Sequence, residues 1–255
     1  QGHHVSMHIP RGKPVSKVNE EARKYNLQEF VFATSVPKSP AETMAVKVGD
    51  MAPDFEAPTV EGTVIRLSEL RGKRHVVLMI GAVTSPMCAF EVPAMNRLYG
   101  EFDPHGISFF LVYTRESHPA ERYPHHTSWE QKLSHARDLQ RLEGVRLPIL
   151  VDDLEGTIHR SYGLWPNALF VAHRDGRLVY RSNMANSREL RQFLEDLVTA
   201  DRLAEEGRML HTEYSERLVG HEADQATHRR VYERAGPKAF EDYWSRRPNL
   251  RGRWP

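Results

Sequence analysis

Apolar and polar positions change rhythm several times along the chain. Residues 1–45 hold no sustained period: Pro10, Pro14, Pro37 and Pro40 and mixed charge predict an irregular arm, with one short helix over 18–25. From residue 46 the pattern becomes regular. The segment 48–55 reads as a loop entering a hairpin, 63–67 as a short alternating strand, and 68–72 as a one-turn helix stopped by Gly72. Two continuous apolar runs, HVVLMIGA over 75–82 and ISFFLVY over 107–113, are too short for ordinary helices and fit strands buried on both faces. Between them a helix starts near Pro86 and runs through 93–102. An amphipathic helix over 129–142 and a short strand over 149–151 follow. Two strands over 168–172 and 178–181 then flank the turn 173–176, and a helix over 188–199 closes the unit.

Strands alternating with helices imply an α/β fold, with a central mixed sheet flanked by helices and an antiparallel pair at its end. This is the thioredoxin-like layout. It divides the chain into an irregular arm over 1–45, a main domain over 46–199 and a helical extension over 200–255. In the extension, 200–219 and 224–235 read as helices with dense charge pairs. The end, 246–255, carries four Arg, two Pro and no acid. Such a tail packs on the core or on a second copy, which makes a homo-oligomer through the extension an expectation.

Charge and composition narrow the classes. Thirty-five basic against 34 acidic side chains leave a net charge of +1, so no strong field favours nucleic acid or an anionic membrane. Forty per cent hydrophobic residues fit a globular core. No apolar window approaches the roughly 18 residues of a membrane-spanning helix. Cys88 is the one cysteine, which excludes an intramolecular disulfide, a C-x-x-C pair and a cysteine-rich metal site. Any thiol chemistry then uses one thiol, a partner's thiol or a small-molecule thiol. A single cysteine suits a reducing compartment, and a cytoplasmic location is the expectation. The chain opens on Gln1 rather than Met, as a trimmed or processed chain does, so its start names no compartment. His3, His4 and His8 lack carboxylate or cysteine partners and read as terminal or tag residues.

The informative stretch is 81–93, GAVTSPMCAFEVP, where a buried strand hands over to a helix. Backbone N–H groups at a helix start stabilise an anion, so a thiol there is acidified. Cys88 lies one turn inside and has two readings, a buried inert thiol or a one-thiol redox site. Beside a reactive thiol, Thr84 is a hydrogen-bond donor to an anionic intermediate; its bland role is to satisfy the turn. Glu91 is read as turning in toward the thiol. Glu116 and His118 follow the second buried strand, at the carboxyl-end edge where open α/β sheets hold ligands, and form a candidate acid–base pair. His125 and His126 follow, but no spacing identifies a metal site. His135, His159 and His173 read as ordinary helix or turn histidines, and Asp152-Asp153 as a turn. No P-loop, dinucleotide fingerprint, serine-hydrolase elbow or zinc-protease motif is present.

Pro86-Met87-Cys88-Ala89-Phe90-Glu91-Val92-Pro93 resembles the second half of a C-P-x-C-x-x-E-x-P redox motif, and residues 48–55 resemble the entry motif of redoxins and peroxiredoxins. A closer resemblance, over roughly 46–197, is to the iodothyronine deiodinase-like branch of the thioredoxin superfamily. It rests chiefly on Tyr113-Thr114-Arg115-Glu116-Ser117-His118-Pro119, similar to that branch's Tyr-x-x-Glu-x-His-Pro, with 124–130 and 152–163 continuing it. The resemblance implies that the reactive selenocysteine or cysteine falls on Ser85. It implies proton delivery by Glu116 and His118 and a substrate-facing His126. Trp165-Pro166 resembles the cis-proline turn that faces the active site in thioredoxins. The arginine that grips the thyronine falls on Ala168 and is missing, so iodothyronine itself is a poor substrate. The implied activity is reductive or thiol-exchange chemistry on a small molecule or peroxide, regenerated by an external thiol or thioredoxin-type reductant, with no cofactor and no metal. A serine hydroxyl cannot cycle as a thiol does. Ser85 is therefore an engineered trap, or native beside a working Cys88, or native with redox chemistry lost. The last case makes the chain a redox-silent binding or assembly protein.

Overall fold

The computed structural model describes residues 19–30, 45–208, 215–217 and 223–245. His3, His4, His8 and the Arg-rich end over 246–255 lie outside them. In chain order the elements are α1 (Glu20–Tyr25), β1 (Glu56–Pro58), β2 (Val64–Arg66), a 3-10 turn (Leu67–Leu70), β3 (His75–Gly81), α2 (Pro86–Phe102), β4 (Ile107–Tyr113), α3 (Trp129–Glu143), β5 (Ile149–Val151), α4 (Thr157–Tyr162), β6 (Leu169–Ala172), β7 (Leu178–Ser182), α5 (Ser187–Glu205), β8 (Ser215–Arg217), α6 (Gln225–Ala235) and α7 (Pro237–Ser245).

β1 and β2 form a small antiparallel pair, and the other six strands form one sheet in the order β5-β4-β3-β6-β7-β8. β3 runs parallel to β4, from His75 opposite Ile107 to Gly81 opposite Tyr113, and antiparallel to β6. All fourteen residues of β3 and β4 are buried, which is why both runs read as unbroken apolar stretches. Side chains alternate across the sheet. Val77, Met79, Phe109, Leu111 and Tyr113 join the core layer that includes Val92 and Met95 of α2, Leu139 of α3 and Leu190 of α5. Val76, Leu78, Ile80, Phe110 and Val112 join the opposite layer with Ile158 and Tyr162 of α4. The thioredoxin-like mixed sheet expected from the pattern is the fold observed.

Two expectations are corrected. The β6–β7 hairpin does not end the sheet, because β8 pairs parallel to β7 with Tyr180 opposite Ser215. The helix expected over 200–219 is accordingly not formed as such: α5 runs on to Glu205, and 215–217 is strand. Those three residues carry no alternating pattern, so their state follows from pairing rather than propensity.

The C-terminal helices pack back on the same chain. Tyr232, Ala235, Ala239 and Tyr243 form a third core with Ala120. Arg234 reaches across to the loop after β3, donating to the Val83 carbonyl at 2.8 Å and pairing with Glu143 at 2.6 Å. Among the described residues, no helix is long and apolar enough to cross a membrane.

Candidate functional site

β3 ends at Gly81, and α2 begins after the four residues 82–85. Ser85 is its N-cap, with the hydroxyl accepting the Cys88 N–H at 3.1 Å. Pro86 follows at the first helical position, where its fixed φ fits and its missing N–H costs nothing. The Ser85 hydroxyl donates to Asn167 Oδ1 at 2.5 Å. Cys88 turns inward onto Gly81, where a Cβ would lie 2.5 Å from its sulfur. The thiol is 0% exposed. Burial, with the Glu143 charge adding to it, pushes its pKa up to about 12. Ser85, at 1% exposure, and Thr84, at 0%, are buried as well.

Glu116 is the hub of a buried polar cluster. Its Oε2 accepts from Thr84 Oγ1 at 2.6 Å, and its Oε1 accepts from the Tyr113 hydroxyl. His126 Nε2 and His135 Nδ1 lie 3.1 Å and 3.0 Å from Oε1. Burial alone would raise the Glu116 pKa, but the hydrogen bonds from both histidines outweigh it and hold the carboxyl well below its usual range. Burial pushes His126 down to about 4, partly offset by Glu116. At neutral pH the cluster is therefore one carboxylate bonded to a neutral His126.

Sequence and structure differ at several of these positions. Glu116 and His118 do not form a side-chain pair. Glu116 turns toward Thr84, whereas His118 donates its backbone N–H to Thr84 Oγ1 at 3.1 Å and directs its ring toward the C-terminal helices. That ring packs against Phe30 and Tyr232 and reaches the Tyr232 hydroxyl at 3.4 Å. His126 is buried against Tyr113 and Glu116 and faces no open surface. Among the described residues there is no cis peptide, so Trp165–Pro166 is trans. The turn closes through Ala168 N–H to the Trp165 carbonyl at 3.4 Å, with Pro166 second in the turn, where trans proline fits. Glu91 does turn inward, but onto the amide of Ser187 rather than the thiol.

The sequence reading missed His135, Asn167 and Tyr113. His135 had a signal: it shares the buried face of α3 with Lys132, Ala136 and Leu139, and two polar residues on such a face ask for partners.

Two side-chain sets approach metal-ligand spacing. Glu116, His126 and His135, and separately His75, His173 and Asp201, each place three potential ligand atoms within 4.8 Å. Neither is organised for an ion. The Glu116 oxygens already accept four side-chain donors, and the outer nitrogen of His126 has no acceptor among the described residues, whereas a metal-bound imidazole donates its second N–H. His75 uses both nitrogens, one accepting the Arg174 N–H at 3.1 Å and the other 2.7 Å from Asp201.

A ResA thiol-disulfide oxidoreductase of Geobacillus thermodenitrificans is 28% identical over 159 residues, 61% of this chain and 81% of its own. An uncharacterized conserved protein from Geobacillus kaustophilus has a similar crystal structure, with TM-score 0.50 and 19% identity over 67% of this chain and 88% of that one. A secreted Mycobacterium tuberculosis disulfide oxidoreductase homologous to E. coli DsbE aligns with TM-score 0.44 and 20% identity, over 56% of this chain and 95% of that one. Fold and strand-to-helix site define a redoxin of the thioredoxin superfamily. The AhpC/TSA family matches residues 48–182, and the chain belongs to that family.

The relatives overturn the cytoplasmic expectation. The curated relatives are ResA thiol-disulfide oxidoreductases, and against them the cytoplasmic expectation does not stand. The single cysteine was a poor guide, because one thiol forms no intramolecular disulfide in either compartment.

Proposed function

We propose that this chain is a redox-silent redoxin, a thioredoxin-fold scaffold used for binding or assembly. One observation carries the reading. The place from which a redoxin presents its attacking thiol is held by Ser85, locked between Asn167 and the Cys88 amide, and the one thiol is fully buried with its pKa pushed up to about 12. At pH 7 such a thiol is ionised in on the order of one molecule in 10^5, too few for a nucleophile. The test is iodoacetamide alkylation of Cys88 across the alkaline range, beside disulfide-reductase and peroxidase assays. Labelling slower than in the unfolded chain, with no turnover, is expected. Fast labelling at neutral pH, or turnover abolished by Cys88→Ala, would overturn the reading.

A second reading is favoured by the intact Glu116 cluster beside Thr84. In it the chain retains a deiodinase-like acid–base site for reductive chemistry on a small molecule, with Ser85 standing where a thiol or selenol, regenerated by an external thiol or a thioredoxin-type reductant, would act. Turnover appearing on Ser85→Cys, and lost again on Glu116→Gln, is its test.

A further inference from the structure

Tyr25 belongs to the N-terminal arm yet is 1% exposed. Its ring lies on Gly156, where a Cβ would overlap it. Its hydroxyl bonds His159 Nδ1 at 2.8 Å and accepts the Arg115 N–H at 3.2 Å. Arg115, Arg160 and Lys132 stand 5.3, 5.4 and 5.6 Å from the ring centroid, within cation–π range. The pocket thus sits just beyond the carboxyl ends of β4 and β5, the edge at which open α/β sheets take ligands.

The arm meets this pocket as a small molecule would. It supplies a phenol to His159 and Arg115, a carbonyl to Arg115 Nη1 at 3.1 Å, and the Glu21 carboxylate 3.9 Å from Arg160. The pocket's own acids do not replace these. Asp152 is engaged by the backbone: its oxygens accept the amides of Asp153, Ile158 and His159. Among the described residues, Arg115 has no carboxylate within ion-pair distance and Arg160 has only Glu21. With the arm withdrawn, two guanidinium groups and an aryl-shaped slot are left facing one another. α1 has six residues, too few for a helix that holds itself in water, so its position depends on this docking.

We propose that the pocket is a binding site for a hydroxyaryl carboxylic acid, and that Tyr25 is its internal occupant, displaced when such an acid competes. The inference rests on the binding reading above and names its ligand class.

The probe is 4-hydroxyphenylacetate, with p-cresol lacking the acid and phenylacetate lacking the hydroxyl as controls. In the full chain the occupied slot weakens apparent affinity by the fraction closed. Calorimetry should show Tyr25→Ala binding 4-hydroxyphenylacetate at least about tenfold more tightly than the unaltered chain does, and more tightly than either control. Adding Arg115→Gln should remove the advantage over p-cresol. Equal binding of all three compounds by folded Tyr25→Ala would reveal a plain cavity and overturn the proposal, as would no binding. Should Tyr25→Ala not fold, the unaltered chain decides: saturating 4-hydroxyphenylacetate should raise tryptic cleavage after Arg23 and Lys24 severalfold and phenylacetate should not, while unchanged cleavage refutes displacement. Cys88 alkylation tests the other claim separately. A reactive thiol would overturn redox silence and leave the pocket standing, and an inert thiol without acid binding would overturn the pocket alone.

Discussion

The Ser85 hydroxyl donates to Asn167 Oδ1 at 2.5 Å, tying the N-cap of α2 to the loop that precedes β6. These two segments flank the nucleophile's place, and here they are joined by a neutral hydrogen bond. Nothing in that contact ionises Ser85, since Asn167 is no base.

Ser85→Cys recreates C-P-M-C on an intact frame. The introduced thiol inherits the Cys88 N–H and the start of a 17-residue helix, both of which favour a thiolate. Its pKa should fall below the ordinary 8.5 or so of a free cysteine. Oxidised dithiothreitol should then join it to Cys88, read by mass spectrometry as loss of both free thiols. An introduced thiol that alkylates no faster than free cysteine at neutral pH would show that the frame itself has decayed.

Glu116→Ala removes the acceptor of four buried side-chain donors, Thr84, Tyr113, His126 and His135. Stranding them should cost about 3–5 kcal/mol, in the range of a broken buried ionic network. Glu116→Gln keeps one acceptor oxygen but turns an amide toward donors, and about 1–3 kcal/mol is expected. Urea unfolding measures both. A loss below about 1 kcal/mol for Glu116→Ala would mean that the cluster is not held together as described.

The sheet was legible because β3 and β4 bury both faces and therefore spell unbroken apolar runs. The start of α2 was legible because Ser-Pro is a cap followed by a first-turn proline. The partners of Glu116 were not. Two residues' spacing from His118 suggested a pair, but backbone direction sent one side chain to Thr84 and the other toward Tyr232. His135 lies 19 positions away, and only the turn of α3 brings it close. Tyr25 was hidden for a related reason. A single aromatic at the end of a short helix carries no periodic signal, and its pocket is assembled from Arg115, Lys132, Gly156 and His159.

Acid should destabilise the fold before ordinary carboxylates titrate. Burial lowers His126 to about 4 and, with Arg115 adding to it, His159 to about 3, against an ordinary 6.5. As pH falls below 6.5 the unfolded chain takes up protons that the folded chain refuses, so stability declines with falling pH. The full effect is on the order of 3 kcal/mol or more per histidine. Glu116 acts in the same direction at lower pH, because its depressed carboxyl contributes stability above its unfolded value, which is lost on further acidification. Urea midpoints should therefore fall between pH 7 and pH 5. A flat profile there would mean that these histidines are solvated.

Arg234 connects the C-terminal helices to the strand-to-helix loop, and its removal asks whether those helices are what bury the site. One guanidinium nitrogen donates to the Val83 carbonyl at 2.8 Å, and another pairs at 2.6 Å with Glu143, whose side chain is 5% exposed. Arg230 reaches the same Glu143 oxygen at 2.6 Å, but its side chain is 48% exposed. An exposed ion pair contributes little, about 1 kcal/mol at most, whereas loss of a buried charged donor to a carbonyl costs about 1–3 kcal/mol. Arg234→Ala should therefore loosen α6 from the loop while Arg230→Ala leaves it in place. Hydrogen exchange of the amides over 83–88, Pro86 aside, reads the difference directly, because a docked α6 that covers the loop should slow it. Faster exchange in Arg234→Ala alone, with quicker Cys88 alkylation, is expected. Equal exchange in both variants and in the unaltered chain would place the shielding in β3, β4 and α2 themselves, and the extension would then be a passenger on the site rather than its cover.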